Sequence, residues 1–171
     1  MPNNLWYNRY LVYLNLENII YGYSKDTIKP NKLVTRAEAV TMLGRALHLS
    51  GVTRPTRFKD VSSSSFASGY IESLADLGII KGRLDGTFGP EQEVTRAEMA
   101  ILLAKAYKLP NVTTVKFSDV NSSVTGYQEI SNLVAAKISE GYADGTFQPR
   151  QTMNRATYAV FLAKAQNEGF R

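Results

Sequence analysis

Gly82-Arg83-Leu84-Asp85-Gly86-Thr87-Phe88-Gly89-Pro90, running on through Glu91-Gln92-Glu93-Val94 into Thr95-Arg96-Ala97-Glu98, decides how this chain folds. Gly82, Asp85-Gly86 and Pro90 break the backbone into a turn-rich loop, because Asp-Gly tolerates positive φ and Pro cannot continue regular hydrogen bonding. Thr95 then reads as an N-cap with Glu98 three residues on, a capping box that satisfies two orphan backbone donors. Ala97, Ala100, Ile101, Ala104 and Tyr107 carry on at helical spacing until Leu109-Pro110. Loop, cap and helix are therefore fixed by local chemistry alone.

The same stretch occurs again on both sides. Gly141-Tyr142-Ala143-Asp144-Gly145-Thr146-Phe147-Gln148-Pro149 leads to Asn154-Arg155-Ala156-Thr157. Gly22-Tyr23-Ser24-Lys25-Asp26-Thr27-Ile28-Lys29-Pro30 leads more loosely to Thr35-Arg36-Ala37-Glu38. A period of about sixty residues implies modules too small to bury a core singly, so they must pack on one another. Phe58-Lys59-Asp60-Val61 and Phe117-Ser118-Asp119-Val120 open the second and third copies, and the first lacks this block. Ahead of each loop a short helix is expected, from Leu11, Leu14 and Ile19, from Ile71, Leu74, Ala75 and Ile79, and from Ile130, Leu133 and Val134. The reading is one all-α domain over 1–171. Its three tandem helix-loop-helix repeats cover about 1–50 (N-terminally incomplete), 58–109 and 117–170, packed with pseudo-threefold symmetry or stacked, with Gly44, Ala104 and Ala163 allowing close helix approach.

Composition narrows the chemistry. With 44% apolar and 20% charged residues the chain is an ordinary globular protein. With no Cys and a single His, His48, it offers no disulfide framework, thiolate nucleophile or His/Cys metal cluster, so neither metal nor cofactor is expected. No apolar run is long enough to span a bilayer, and Asn3, Asn4, Asn8 and Arg9 interrupt the N-terminal stretch, so any export signal is expected outside this chain. A formal charge of +5 favours anionic partners, but Lys and Arg are dispersed rather than striped, so nucleic acid is not expected.

Among the repeated residues, Thr35, Thr95, Asn154, Glu38 and Glu98 read as caps and the alanines as packing. Arg36, Arg96 and Arg155 do not, since a cation at the first helical position opposes the macrodipole. They persist even where Asn154 and Thr157 replace the capping box. Two partners fit them equally: an external carboxylate held by the guanidinium and free backbone donors of the helix start, or an internal ion pair with Asp60, Asp119 or a loop Asp. Asp85 and Asp144 read as turn formers, Phe58 and Phe117 as filling between units, Asp60 and Asp119 as caps of the turn that follows them. Trp6, aligned with Phe66, reads as core with sugar stacking as the alternative, and His48 as a favourable residue at a helix C-terminus.

Taken in order, Phe-x-Asp-Val, Leu-Gly-Ile-Ile-x-Gly, Asp-Gly-Thr-Phe-x-Pro and Thr-Arg-Ala-Glu resemble the S-layer homology domain in three tandem copies, over nearly the whole chain. The resemblance implies a three-pronged spindle with one helix of each repeat in a central bundle. It implies an extracellular, non-covalent anchor of the Gram-positive cell surface and S-layer. The partner it implies is an anionic secondary cell-wall polysaccharide bearing pyruvylated N-acetylmannosamine, held in grooves between repeats. Arg36, Arg96 and Arg155 would meet the pyruvyl carboxylate, Gly22, Gly82 and Gly141 would leave room for the sugar or permit a turn, and Asp85 and Asp144 would shape the groove wall. Grooves built from the departing elements, Asn154-Arg155-Ala156-Thr157 and the first repeat, are expected to be weak. A monomer is expected. The alternative is a protein–protein or self-assembly module with the arginines paired internally. An enzyme is not expected, since Asp85 and Asp144 sit in separate turns rather than as a catalytic pair, and neither turn alternates oxygen ligands as a calcium loop does.

Overall fold

The computed structural model describes residues 5–23, 27–112 and 116–171. Asp26, in the divergent turn of the first copy, lies outside the described residues, as do Asn3 and Asn4. Among those described there are six α-helices and only isolated β-bridges: α1 (Asn8–Leu16), α2 (Arg36–Ala46), α3 (Ser68–Asp76), α4 (Arg96–Ala106), α5 (Tyr127–Ala135) and α6 (Arg155–Gln166). The fold is all-α, in three repeats.

The starts of α2, α4 and α6 are the expected ones. Thr35 and Thr95 accept from the N–H of Glu38 and Glu98 at 3.2 Å, and each Glu carboxylate accepts from its threonine's N–H in return. Asn154 accepts from Thr157 N–H at 2.9 Å. The short helices stop earlier than their apolar spacing suggests. Asn18, Gly78 and Lys137 turn left-handed, at φ 58°, 70° and 57°. The following Ile19, Ile79 and Ile138 then donate back to Leu14, Leu74 and Leu133 at 2.8, 2.9 and 3.0 Å. These isoleucines are buried just past the helix ends, the Schellman arrangement with its apolar contact. His48 has the same conformation after α2, at φ 54°, so its place is in the C-terminal turn rather than on the last carbonyls.

Closure comes from the segments before the long helices. Val34 N–H donates to Met153 C=O at 2.9 Å, Met153 to Val94 at 3.1 Å, and Val94 to Val34 at 2.9 Å. Three hydrogen bonds thus form a ring about a pseudo-threefold axis. Its side chains Val34, Val94 and Met153 are fully buried. The helices follow the same rotation. α3 packs on α2, α5 on α4, and α1 on α6, so each first helix lies on the second helix of the preceding repeat and the last pairing closes the circle. α2, α4 and α6 meet in the centre. One central layer holds Ala39, Met99 and Tyr158, small, medium and large, and the buried Tyr158 hydroxyl donates to Ala39 C=O at 2.8 Å. Gly44 serves the α2–α3 contact as expected, since a Cβ there would stand 2.3 Å from the Tyr70 ring.

Phe58 and Phe117 do not fill the space between units. Each packs inside its own repeat, 5.5 Å from Phe88 and Phe147, because the loop folds back onto its own opening block. Asp60 and Asp119 likewise cap a distant loop. Asp60 accepts from Phe88 and Gly89 N–H at 2.7 Å each, and Asp119 from Phe147 and Gln148 N–H at 2.8 Å each.

Candidate functional site

The three arginines occupy equivalent seams. Arg36 donates through Nε to Phe88 C=O at 3.0 Å, Arg96 to Phe147 C=O at 2.7 Å and Arg155 to Ile28 C=O at 2.9 Å, in each case in the loop of the next repeat around the ring. An aromatic ring lies under each guanidinium: Phe88 at 4.6 Å, Phe147 at 4.5 Å and Tyr23 at 4.8 Å. Each Arg thus clips its helix start to the neighbouring repeat. Arg96 and Arg155 are 4% and 5% exposed, not solvated.

The backbone part of the expected anion site is already occupied. The first two helical N–H groups, those of Arg36 and Ala37, donate to Gln92 and Pro90 C=O. Those of Arg96 and Ala97 donate to Gln151 and Pro149, and those of Arg155 and Ala156 to Lys32 and Pro30. With the third N–H taken by the cap, the helix ends have little left to offer a carboxylate. Any anion must be held by what remains of the guanidinium donors.

The internal partners are not the expected aspartates. Arg36 Nη1 pairs with Glu98 at 2.7 Å, across the seam to the cap of the next helix. Burial lowers the Arg36 pKa and Glu98 acts against that, while the guanidinium remains cationic. Glu38 stands at the matching place beside Arg155 but is held by Lys32 and Tyr23. Burial works against its charge, yet these donors and Thr35 N–H outweigh it and hold the pKa below the ordinary range. In the third position helix α6 carries Thr157. Arg96 therefore has no carboxylate partner among the described residues. Its Nη2 donates to Glu140 C=O at 3.2 Å, and burial lowers its pKa.

Open space differs accordingly. A cleft of about 330 Å³ beside Arg96 is walled by Trp6, Glu140, Tyr142, Phe161, Thr157 and Lys164, with Gly141 at its edge. One of about 120 Å³ beside Arg155 is bounded by Tyr21, Glu38, Arg45 and Phe66, with the buried Thr41 hydroxyl, which has no hydrogen-bond partner among the described residues, in its wall. Trp6 is 61% exposed, so it is a cleft wall rather than core, and Phe66 is its counterpart. Gly141 and Gly82 serve packing: a Cβ would stand 2.1 Å from Phe117 and 2.3 Å from Phe58. Gly22 lies between Tyr21, whose C=O accepts from Arg155 Nη2 at 2.8 Å, and Tyr23. Asp85 and Asp144 bind Thr87 and Thr146 N–H at 2.9 Å as exposed turns, and neither lines the clefts beside Arg96 and Arg155. Phe161 and Lys164 escaped the sequence reading, although their spacing from Thr157, read there only as a departure from the motif, puts all three on one helix face.

The profile of the S-layer homology domain matches residues 2–40, 57–100 and 116–159. The chain belongs to the S-layer homology family. This S-layer homology triplet is a cell-surface anchoring module of the wall. It is 31% identical to an S-layer protein of Bacillus thuringiensis subsp. finitimus, over 98% of this chain and 21% of that protein. It is 30% identical to a cellulosome-anchoring protein of Acetivibrio thermocellus, over 86% and 35%. It is 31% identical to an endoglucanase of Bacillus sp. (strain KSM-635), over 92% and 17%. The triplet thus spans at most about a third of these relatives. No helix among the described residues is long and apolar enough to cross a membrane.

Proposed function

We propose that this triplet holds the protein bearing it to the cell wall by binding pyruvylated N-acetylmannosamine units of a secondary wall polysaccharide, with the Arg96 cleft as the principal site. The observation that carries the reading is a buried cation satisfied, among the described residues, only by carbonyl oxygens and aromatic faces, beside an open cleft. A buried charge calls for a counter-ion, and a pyruvyl carboxylate entering that cleft supplies one. Lys164 adds a second cation, while Trp6 and Tyr142 present ring faces of the kind a pyranose stacks on. Arg155 ranks second, because Glu38 is diverted to Lys32. Arg36 ranks last, because Glu98 already neutralises it. The third Thr-Arg-Ala-Glu copy, expected to be weak for having Thr157, thereby puts a threonine rather than a glutamate in the wall of the principal cleft.

The test is calorimetric titration with a pyruvylated wall disaccharide and its unpyruvylated counterpart. Binding of the pyruvylated form, lost on pyruvyl removal and weakened at least tenfold by Arg96→Gln with the fold intact, is the expected result. Equal binding of both forms overturns the carboxylate mechanism.

A further inference from the structure

A cavity of about 890 Å³ is lined by none of the three arginines. It lies between the first turns of α4, the segment before α5 and the loop at 148–151. It borders the position at which the other two clefts carry an aromatic wall: Trp6, Phe66 and Thr125 occupy equivalent positions before α1, α3 and α5. Where Thr125 replaces a ring, the space above Ile101 stays open.

Its chemistry also differs. The floor is apolar, from Ala97, Ile101, Val124 and Pro149, and the rim carries Glu98, Asp119, Thr125 and Gln151. Glu98 is balanced by Arg36, and the lining carries one further acid, Asp119, and one base, Arg150, so no surplus charge recruits an ion. The carboxylates spend some lone pairs on backbone N–H and keep others. An apolar floor with carboxylate, amide and hydroxyl groups around it suits an uncharged pyranose, whose C–H face lies flat while its hydroxyls meet the rim. We propose that this cavity binds a neutral saccharide unit, one without a pyruvyl group, so that the molecule takes two chemically distinct units of one polymer. The source of that sugar rests on the wall-glycan reading above; the site does not.

The experiment is an NMR titration of the ¹⁵N-labelled full chain with unpyruvylated N-acetylmannosamine, and separately with its pyruvylated form. Expected are shifts at Ile101, Ser123, Thr125 and Gln151 with the neutral sugar, and an affinity at least tenfold lower in Thr125→Trp. That variant should leave pyruvylated binding at Arg96 within twofold. Thr125→Phe is the second variant, since both rings already stand at equivalent positions, and a preserved spectrum reports the fold. No shifts at these residues up to millimolar sugar, or undiminished affinity in a folded ring variant, overturns the proposal. Neutral-sugar shifts here without any pyruvylated binding at Arg96 uphold this site and overturn the anchoring mechanism instead.

Discussion

Position 157 shows how one side chain sets the character of a cleft. Glu98 reaches Arg36 across one seam, so a glutamate at 157 should reach Arg96 across the matching one. Thr157→Glu is expected to weaken pyruvylated-glycan binding at Arg96 at least tenfold. It should also stabilise the fold by about 0.5 kcal/mol, since it completes a capping box with Asn154. Opposite signs in a binding titration and a denaturant melt would separate this from simple damage. Glu98→Gln is the reverse experiment: the amide can still accept from Thr95 N–H but no longer neutralises Arg36, so one saccharide equivalent more than in the wild type should appear in the calorimetric stoichiometry. The caps at Thr35, Thr95 and Asn154 were legible in the sequence because a capping box is complete within four residues. The meaning of Thr157 was not, because its effect falls on an arginine of another repeat.

At the scale of the loop, the Asp60 carboxylate fastens a turn far along the chain. Burial raises its pKa, but the N–H groups of Phe88 and Gly89 prevail and hold it below the ordinary carboxylate value. A depressed folded pKa contributes stability that is present above the unfolded value, near 4, and is lost as pH falls through the folded one. Glu38 acts in the same direction. Thermal unfolding monitored by circular dichroism should therefore show a melting temperature that drops below about pH 4, and Asp60→Asn should flatten part of that drop. Gly141→Ala tests the equivalent loop of the third repeat, which Asp119 fastens, from its apolar side. The added methyl meets the Phe117 ring and Thr146 C=O, and about 1–3 kcal/mol of destabilisation is expected in urea. Turn chemistry at Asp85 and Asp144 could be read locally. The grip of Asp60 on residues 28 and 29 positions away could not, because nothing in Phe-Lys-Asp-Val specifies which loop returns to it.

For the whole molecule, ring and stack make different demands on stability. The sequence repeats left both open, since matched motifs show what is repeated and not which copy each helix packs on. The Val34–Met153–Val94 ring of hydrogen bonds and the α1–α6 pairing decide for closure. In an open stack, stability is a sum of neighbour interfaces, and end units fray first. In a closed ring every repeat has two neighbours, so no unit is terminal. Opening any seam also exposes the buried axis residues of all three. The amides of Val34, Val94 and Met153 are therefore expected to exchange with solvent at one common free energy, equal to that of global unfolding. Leu14→Ala, which undermines the α1–α6 seam by about 2–5 kcal/mol, should lower all three together, although Val94 belongs to the repeat that contains neither helix. Native-state hydrogen exchange on the wild type and this variant reads the outcome directly. Selective loss of protection at Val34 and Met153, with Val94 unchanged, would mean that the seams open independently and that the three clefts can fail one at a time.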